Sequence, residues 1–165
     1  MKELRIEHTF DFGIASLIRT REARYNFPDL FPEVDTVEET FFEQNQSEIH
    51  RIRVITMKNS LPSPADKVLN MRTLQASEET WQTIDLTRLK VIARMNLFNG
   101  NIDFHEESLY YAIDEKSSGR TIDIRATASI PLIGKAIESI LASEFKKRSD
   151  IDREIIIKLR TQEGF

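Results

Sequence analysis

At Pro131 the hydrophobic period of the chain changes, and no other feature constrains the fold as tightly. Before it, Ile122, Ile124, Ala126, Ala128 and Ile130 alternate with Thr121, Asp123, Arg125, Thr127 and Ser129. That two-residue period belongs to a strand with one buried and one wet face. After it, Ile133, Ile137, Ile140, Leu141, Phe145, Ile151, Ile155, Ile156 and Leu159 recur every three to four residues, with Lys135, Glu138, Lys146, Lys147, Asp150, Arg153 and Lys158 between them. The stripe predicts a terminal amphipathic helix of about 25 residues. Proline suits its first position, where a missing N–H leaves no hydrogen bond unmade.

Upstream, the pattern is that of strands. Asn99-Gly100 separates the alternating Leu89, Val91, Ala93, Met95 and Leu97 from an Ile102–Ile113 run rich in aromatic and β-favouring residues. Asn-Gly is the strongest short-range hairpin signal, because both residues tolerate positive φ. Ser117-Ser118-Gly119 makes the next turn, so three successive antiparallel strands are expected. Leu4, Ile6, His8 and Phe10 predict an opening strand, and Ile14, Leu17 and Ile18 share the face of one short helix after Gly13. Phe27 to Pro32, with prolines four apart, allows a turn of helix at most. Glu33–Gln44 and Ser47–Lys58 flank the turn pair Asn45-Gln46 as a long hairpin. Ala65–Leu69 predicts a helical turn and Met71–Thr83 a strand carrying the single tryptophan, Trp81.

The class is therefore α+β: a curved antiparallel sheet of six or seven strands wrapped around a long C-terminal helix, with one or two short helices after the first strand. No repeat, linker or low-complexity tract divides residues 1–165, so one domain is expected. A helix about 10–12 Å wide cannot fill the concavity of so wide a sheet. A pocket between sheet and helix is the structural expectation.

Composition narrows the partners. Twenty-three Lys and Arg against 27 Asp and Glu leave a net charge of −4, a poor match for a phosphate backbone, so no nucleic-acid partner is expected. The absence of cysteine removes disulfide scaffolds, thiol nucleophiles and thiolate metal sites. His8, His50 and His105 are dispersed and lack ligand spacing, so no metal or other cofactor is expected. The five glycines form neither a phosphate loop nor a dinucleotide fingerprint, and no Gly-x-Ser-x-Gly elbow is present. The N-terminus carries no apolar signal segment, and no stretch approaches a membrane span, which predicts a cytoplasmic protein.

The order of elements resembles the helix-grip fold of the START-related (SRPBCC) superfamily. The matching stretches are Leu4-Arg5-Ile6-Glu7-His8, Leu61-Pro62-Ser63-Pro64, Glu79-Thr80-Trp81 and the strand–helix junction Ile130-Pro131-Leu132-Ile133-Gly134-Lys135-Ala136-Ile137-Glu138. Within it the chain is most similar to a bacterial branch, domain of unknown function 2505. Where that branch has a glycine pair at the helix start, Gly134 here stands alone before Lys135. The resemblance covers nearly the whole chain. It implies a cavity for lipids, isoprenoids or aromatic molecules, and it implies no particular reaction.

Parity and stripe then nominate the lining: Ile6, His8, Val91, Ala93, Met95, Ile124, Ala126, Ile137 and Leu141, with Arg53 and Trp81 beside them. Arg53 shares a strand face with Ile49 and Ile55 and is the preferred anchor for a carboxylate or phosphate. Neighbouring acids such as Glu78-Glu79 and Glu106-Glu107 point to opposite faces of a strand, so none is a ready-made dyad. A buried Glu106 or Glu107 would be an acid–base candidate. Arg19, Arg21, Arg24 and Lys146-Lys147-Arg148 allow at most transient contact with an anionic membrane. Phe27 and Phe31 could lid the mouth. The leading expectation is a non-catalytic carrier of a hydrophobic small molecule. A cyclase- or hydratase-like enzyme using His8, Arg53 and Tyr110, and a protein-interaction domain, stay open as alternatives. Oligomeric state is not legible.

Overall fold

The computed structural model describes residues 1–165. Seven strands, β1 (Lys2–Phe10), β2 (Val34–Gln44), β3 (Glu48–Lys58), β4 (Thr73–Thr83), β5 (Arg88–Leu97), β6 (Ile102–Ala112) and β7 (Ser118–Ala128), form one antiparallel sheet in the order β1-β7-β6-β5-β4-β3-β2. Consecutive strands pair as hairpins except at one place: β7 returns beside β1, so the first and second strands lie on opposite edges. Between them in sequence come α1 (Ile14–Ala23) and two 3₁₀ turns at Arg24–Asn26 and Pro28–Leu30. The single helical turn α2 (Ala65–Leu69) joins β3 to β4, and α3 (Gly134–Glu163) ends the chain.

The expected helix-grip architecture is present, with seven strands and a terminal helix of 30 residues, about 45 Å long. The helix exceeds the expected 25 because polar residues past Leu159 continue it for one more turn, to a left-handed Gly164 cap. The Asn99-Gly100 turn adopts positive φ at both residues, the conformation that selects this dipeptide.

Two apolar clusters hold the layers together. The larger joins Ile6, Met95, Phe104, Ile124 and Ala126 of the sheet to Ile137 and Leu141 of α3. The smaller joins Phe10, Leu17, Ile18, Leu89, Tyr110 and Ile156 where α1 meets the far half of α3. At the start of α3, Gly134 lies against the backbone of Ala128, and a Cβ there would stand 2.3 Å from its carbonyl oxygen. One glycine thus provides the close helix–strand approach. Because α3 packs on β7 and β1, and α1 on β5, β6 and β7, the helices cover one half of the concave face. The half formed by β2, β3 and β4 curves away from them, and the gap between is where a site forms.

Candidate functional site

A cavity of about 360 Å³ occupies this gap, between the concave face of β3–β7, the mid-section of α3 and the turn before β2. One wall is apolar: Phe31, Ile55, Met57, Ile122, Phe145 and Ile155. The other is polar, with Arg21, Arg24, Glu78, Glu106, Arg120 and Asp152.

Strand register builds the polar wall. One row across the concave face runs Arg53, Glu78, Ala93, Glu106, Ile124, each directly opposite the next. A second runs Tyr110, Arg120, His8. Antiparallel neighbours of this kind hold their side chains within contact distance. The helices supply the rest: Arg21 falls on the buried face of α1 with Leu17 and Ile18, and Asp152 sits one turn before Ile156 on α3.

The charges are largely buried and interlinked, four arginines sharing three acids. Arg21, 2% exposed, donates to Glu78 at 2.7 Å and to Glu22 at 2.8 Å. Arg53 bridges the same two acids, at 3.1 Å to Glu78 and 2.6 Å to Glu22. The Tyr25 hydroxyl donates to Glu78 at 2.6 Å. Asp152 accepts from Arg24 and, at 2.6 Å, from Arg120. Arg120 also reaches the Tyr110 hydroxyl at 3.2 Å, the Ser149 carbonyl at 3.1 Å and His8 Nδ1 at 2.9 Å.

Since a guanidinium only donates, His8 Nδ1 is the acceptor and its Nε2–H donates to Asp150 at 2.9 Å. That assigns a neutral imidazole. Burial, with Arg120 and Arg153 nearby, outweighs Asp150 and lowers its pKa.

Burial by itself would raise the acids, yet Arg21, Arg24, the Tyr25 hydroxyl and Arg53 hold Glu78 at about 2. Arg24 and Arg120 likewise hold Asp152 at about 2. Glu106 is the exception. Desolvation raises it, and its one side-chain partner is the Ser108 hydroxyl at 2.9 Å.

Of the lining expected from sequence, the structure brings Ala93 to this cavity. Ile6, Met95, Ile124, Ala126, Ile137 and Leu141 pack in the larger core and Val91 beside the smaller cluster's Leu89. His8 lies behind Arg120 in the polar network. Arg53 lines an adjacent opening with Glu22, Tyr25 and Glu39, its terminal nitrogens occupied by acids. Trp81 stands on the other face of the sheet, opposite His50 and stacked on it with centroids 5.0 Å apart. Arg21 and Arg24, expected at a membrane-facing surface, turn inward to Glu78 and Asp152, and Arg120 joins them from β7. The signals were their positions: Arg120 on the parity of Ile122, Arg21 on the stripe of Leu17 and Ile18. Phe31 does line the cavity, as a mouth residue would.

Sheet, terminal helix and the cavity between them define the helix-grip fold. The model of the PRELI-like family matches residues 20–162, and the chain belongs to that family, where the sequence alone resembled domain of unknown function 2505. No curated protein matches the sequence significantly. Among solved structures it is similar to TTHA0849 from Thermus thermophilus, with a TM-score of 0.67 and 11% identity over 99% of this chain and 100% of that one. The Zhui aromatase/cyclase from a Streptomyces species superposes with a TM-score of 0.64 and 11% identity, over 99% and 97%. A START superfamily protein from Mycobacterium smegmatis gives 0.58 and 6%, over 95% and 98%. At such identities the likeness is one of fold.

Proposed function

We propose that the protein binds and carries a hydrophobic small molecule, such as a lipid, isoprenoid or aromatic compound, between sheet and C-terminal helix, without transforming it. The observation that carries this reading is the 360 Å³ cavity with its apolar wall. That volume falls at the small end of the roughly 300–1,000 Å³ typical of ligand sites. The absence from the sequence of any nucleophile elbow or phosphate loop supports a carrier over an enzyme. A cytoplasmic location is part of the same proposal, and no helix is long and apolar enough to cross a membrane.

The test is native mass spectrometry of protein purified from its own host, compared with its organic extract. A co-purifying apolar molecule near one per chain is expected. An apo mass, together with no thermal shift from fatty acids, isoprenoids or polycyclic aromatics, would overturn the reading.

A second reading has one specific support. A cyclase- or hydratase-like enzyme needs an acid–base group within the cavity, and Glu106 is a candidate by its raised pKa. It predicts turnover of the bound molecule that is lost in Glu106→Gln while binding persists.

A further inference from the structure

A second opening lies next to the cavity, about 430 Å³ in volume and lined by polar side chains that include Glu22, Glu39, Arg51 and Arg53. The two volumes share Tyr25 and Val37 in their linings and no other residue. They follow one another along β3. Met57 and Ile55 face the apolar cavity, and Arg53 and Arg51, on the same parity, face the second opening.

Strand register repeats the boundary on both neighbours of β3. On β2, Val37 stands opposite Ile55 and Glu39 opposite Arg53. On β4, Ala76 stands opposite Ile55 and Glu78 opposite Arg53. One groove on the concave face therefore turns from apolar to polar within a two-residue step, about 7 Å.

Tyr25 stands at that step. It belongs to the 3₁₀ turn Arg24–Asn26, between α1 and the start of β2. Its hydroxyl donates to Glu78 at 2.6 Å. Three guanidiniums surround its ring, Arg53 at 4.6 Å from the centroid, Arg24 at 5.1 Å and Arg21 at 5.7 Å. A three-residue turn offers an aromatic side chain little backbone support. One hydrogen bond and three cation–π contacts hold this one in place. Arg53 and Glu78 come from the strands and form the floor of the groove at this point, whereas Tyr25 comes from the turn above it and Val37 from the edge strand beside it. An apolar chain lying along Met57 and Ile55 meets the ring before it reaches Arg53.

Resting on the carrier reading above, we propose that Tyr25, with Val37 beside it, closes one end of the cavity and sets the length of the apolar molecule that it accepts. Longer molecules are refused although a second opening lies directly beyond the ring.

Straight-chain primary alcohols from hexanol to hexadecanol are the probes, titrated by calorimetry into the full chain. With wild-type protein, affinity is expected to rise about fourfold with each added methylene until the chain reaches the ring, and then to level off. In Tyr25→Ala the break should move to longer alcohols. Those past the wild-type break should bind about 10-fold or more tightly than they do to wild type, the worth of two further buried methylenes. Alcohols shorter than the break should bind every variant alike, a result that general loss of structure would not give. Tyr25→Phe keeps the ring without its hydroxyl and should keep the wild-type break. Val37→Ala widens the same passage from β2 without touching the ion pairs, and should move the break in the same direction as Tyr25→Ala.

A break at the same length in wild type, Tyr25→Ala and Val37→Ala would overturn the assignment and leave the carrier reading intact. So would an affinity that rises without a break in wild type, or a break that moves as far in Tyr25→Phe as in Tyr25→Ala. Binding of none of the alcohols by wild type would overturn this assignment and count against the carrier reading as well.

Discussion

Removing the Glu78 carboxylate should be among the most destabilising changes this molecule can suffer, although the residue fills little space. Glu78→Ala leaves Arg21, 2% exposed, with Glu22 alone, while Arg53 keeps one of its two acids and the Tyr25 hydroxyl loses its acceptor. Breaking a buried ion pair from one side costs about 3–5 kcal/mol, because the remaining charge is left uncompensated. With a urea m-value of about 2 kcal/mol/M, the unfolding midpoint should fall by roughly 2 M. Equilibrium urea unfolding by circular dichroism at pH 7 measures this, with m compared between variants to confirm that the same transition is followed. The stronger test is the cycle with Arg21→Met. Removing the cation along with its acid abolishes the orphaned charge, so the double variant should be more stable than the sum of the two single changes by at least about 2 kcal/mol. A midpoint shift below about 0.5 M for Glu78→Ala, or strict additivity in the cycle, would show that water reaches and solvates these groups. The buried-network reasoning would then fail.

Two further outcomes follow from the same structure. Glu78 and Asp152 have folded-state pKa values near 2, below their ordinary values of 4.5 and 3.8, so the native state binds fewer protons than the unfolded chain in this range. Their contribution is complete above about pH 4.5 and is lost as pH falls toward 2, at up to about 2–3 kcal/mol per pH unit for the pair; urea midpoints that stay flat between about pH 5 and 2.5 would contradict it. Gly134→Ala places a Cβ 2.3 Å from the Ala128 carbonyl oxygen and must part the helix from the strand. A cost of about 1–3 kcal/mol and a melting point lower by about 3–10 °C are expected, and an unchanged melting curve would refute the close approach.

Hydrophobic period made most of the fold legible. The two-residue alternation from Leu89 to Ile130 and the stripe after Pro131 define three strands and the terminal helix, and the Asn99-Gly100 turn sets their pairing. Parity also identified the concave face correctly for Ile6, Met95, Ile124 and Ala126, all of which are buried. It could not say where along that face solid packing stops. Alternation reports which side of a sheet a residue faces. Depth depends on where the helix lies, and α3 rests on β1 and β7 rather than on β3 and β4. The expected lining therefore sits mostly in the core, and the open volume begins at Ile55, Ala76 and Ala93.

The polar wall was hidden for a different reason. Arg21 carries a local mark of burial, falling three and four residues after Ile18 and Leu17, but a lone arginine on a helix is ordinarily solvated. What makes its burial tolerable is an acid 57 residues away, just as Asp152 on the terminal helix makes Arg120 tolerable 32 residues earlier. No local pattern announces such pairs. Their energetics are instructive, since buried ion pairs of this kind can often be replaced by well-packed apolar residues at little cost in stability. The network contributes definition instead. Each guanidinium is pinned by two or more acceptors, so the polar wall keeps one shape. Glu106 stands outside that arrangement, opposite Ala93 and unclaimed by any arginine. Four arginines share three acids in that wall, and two of them keep an unpartnered Nε–H, so the wall holds its shape without being neutral and Glu106 is the one carboxyl in it that no guanidinium claims.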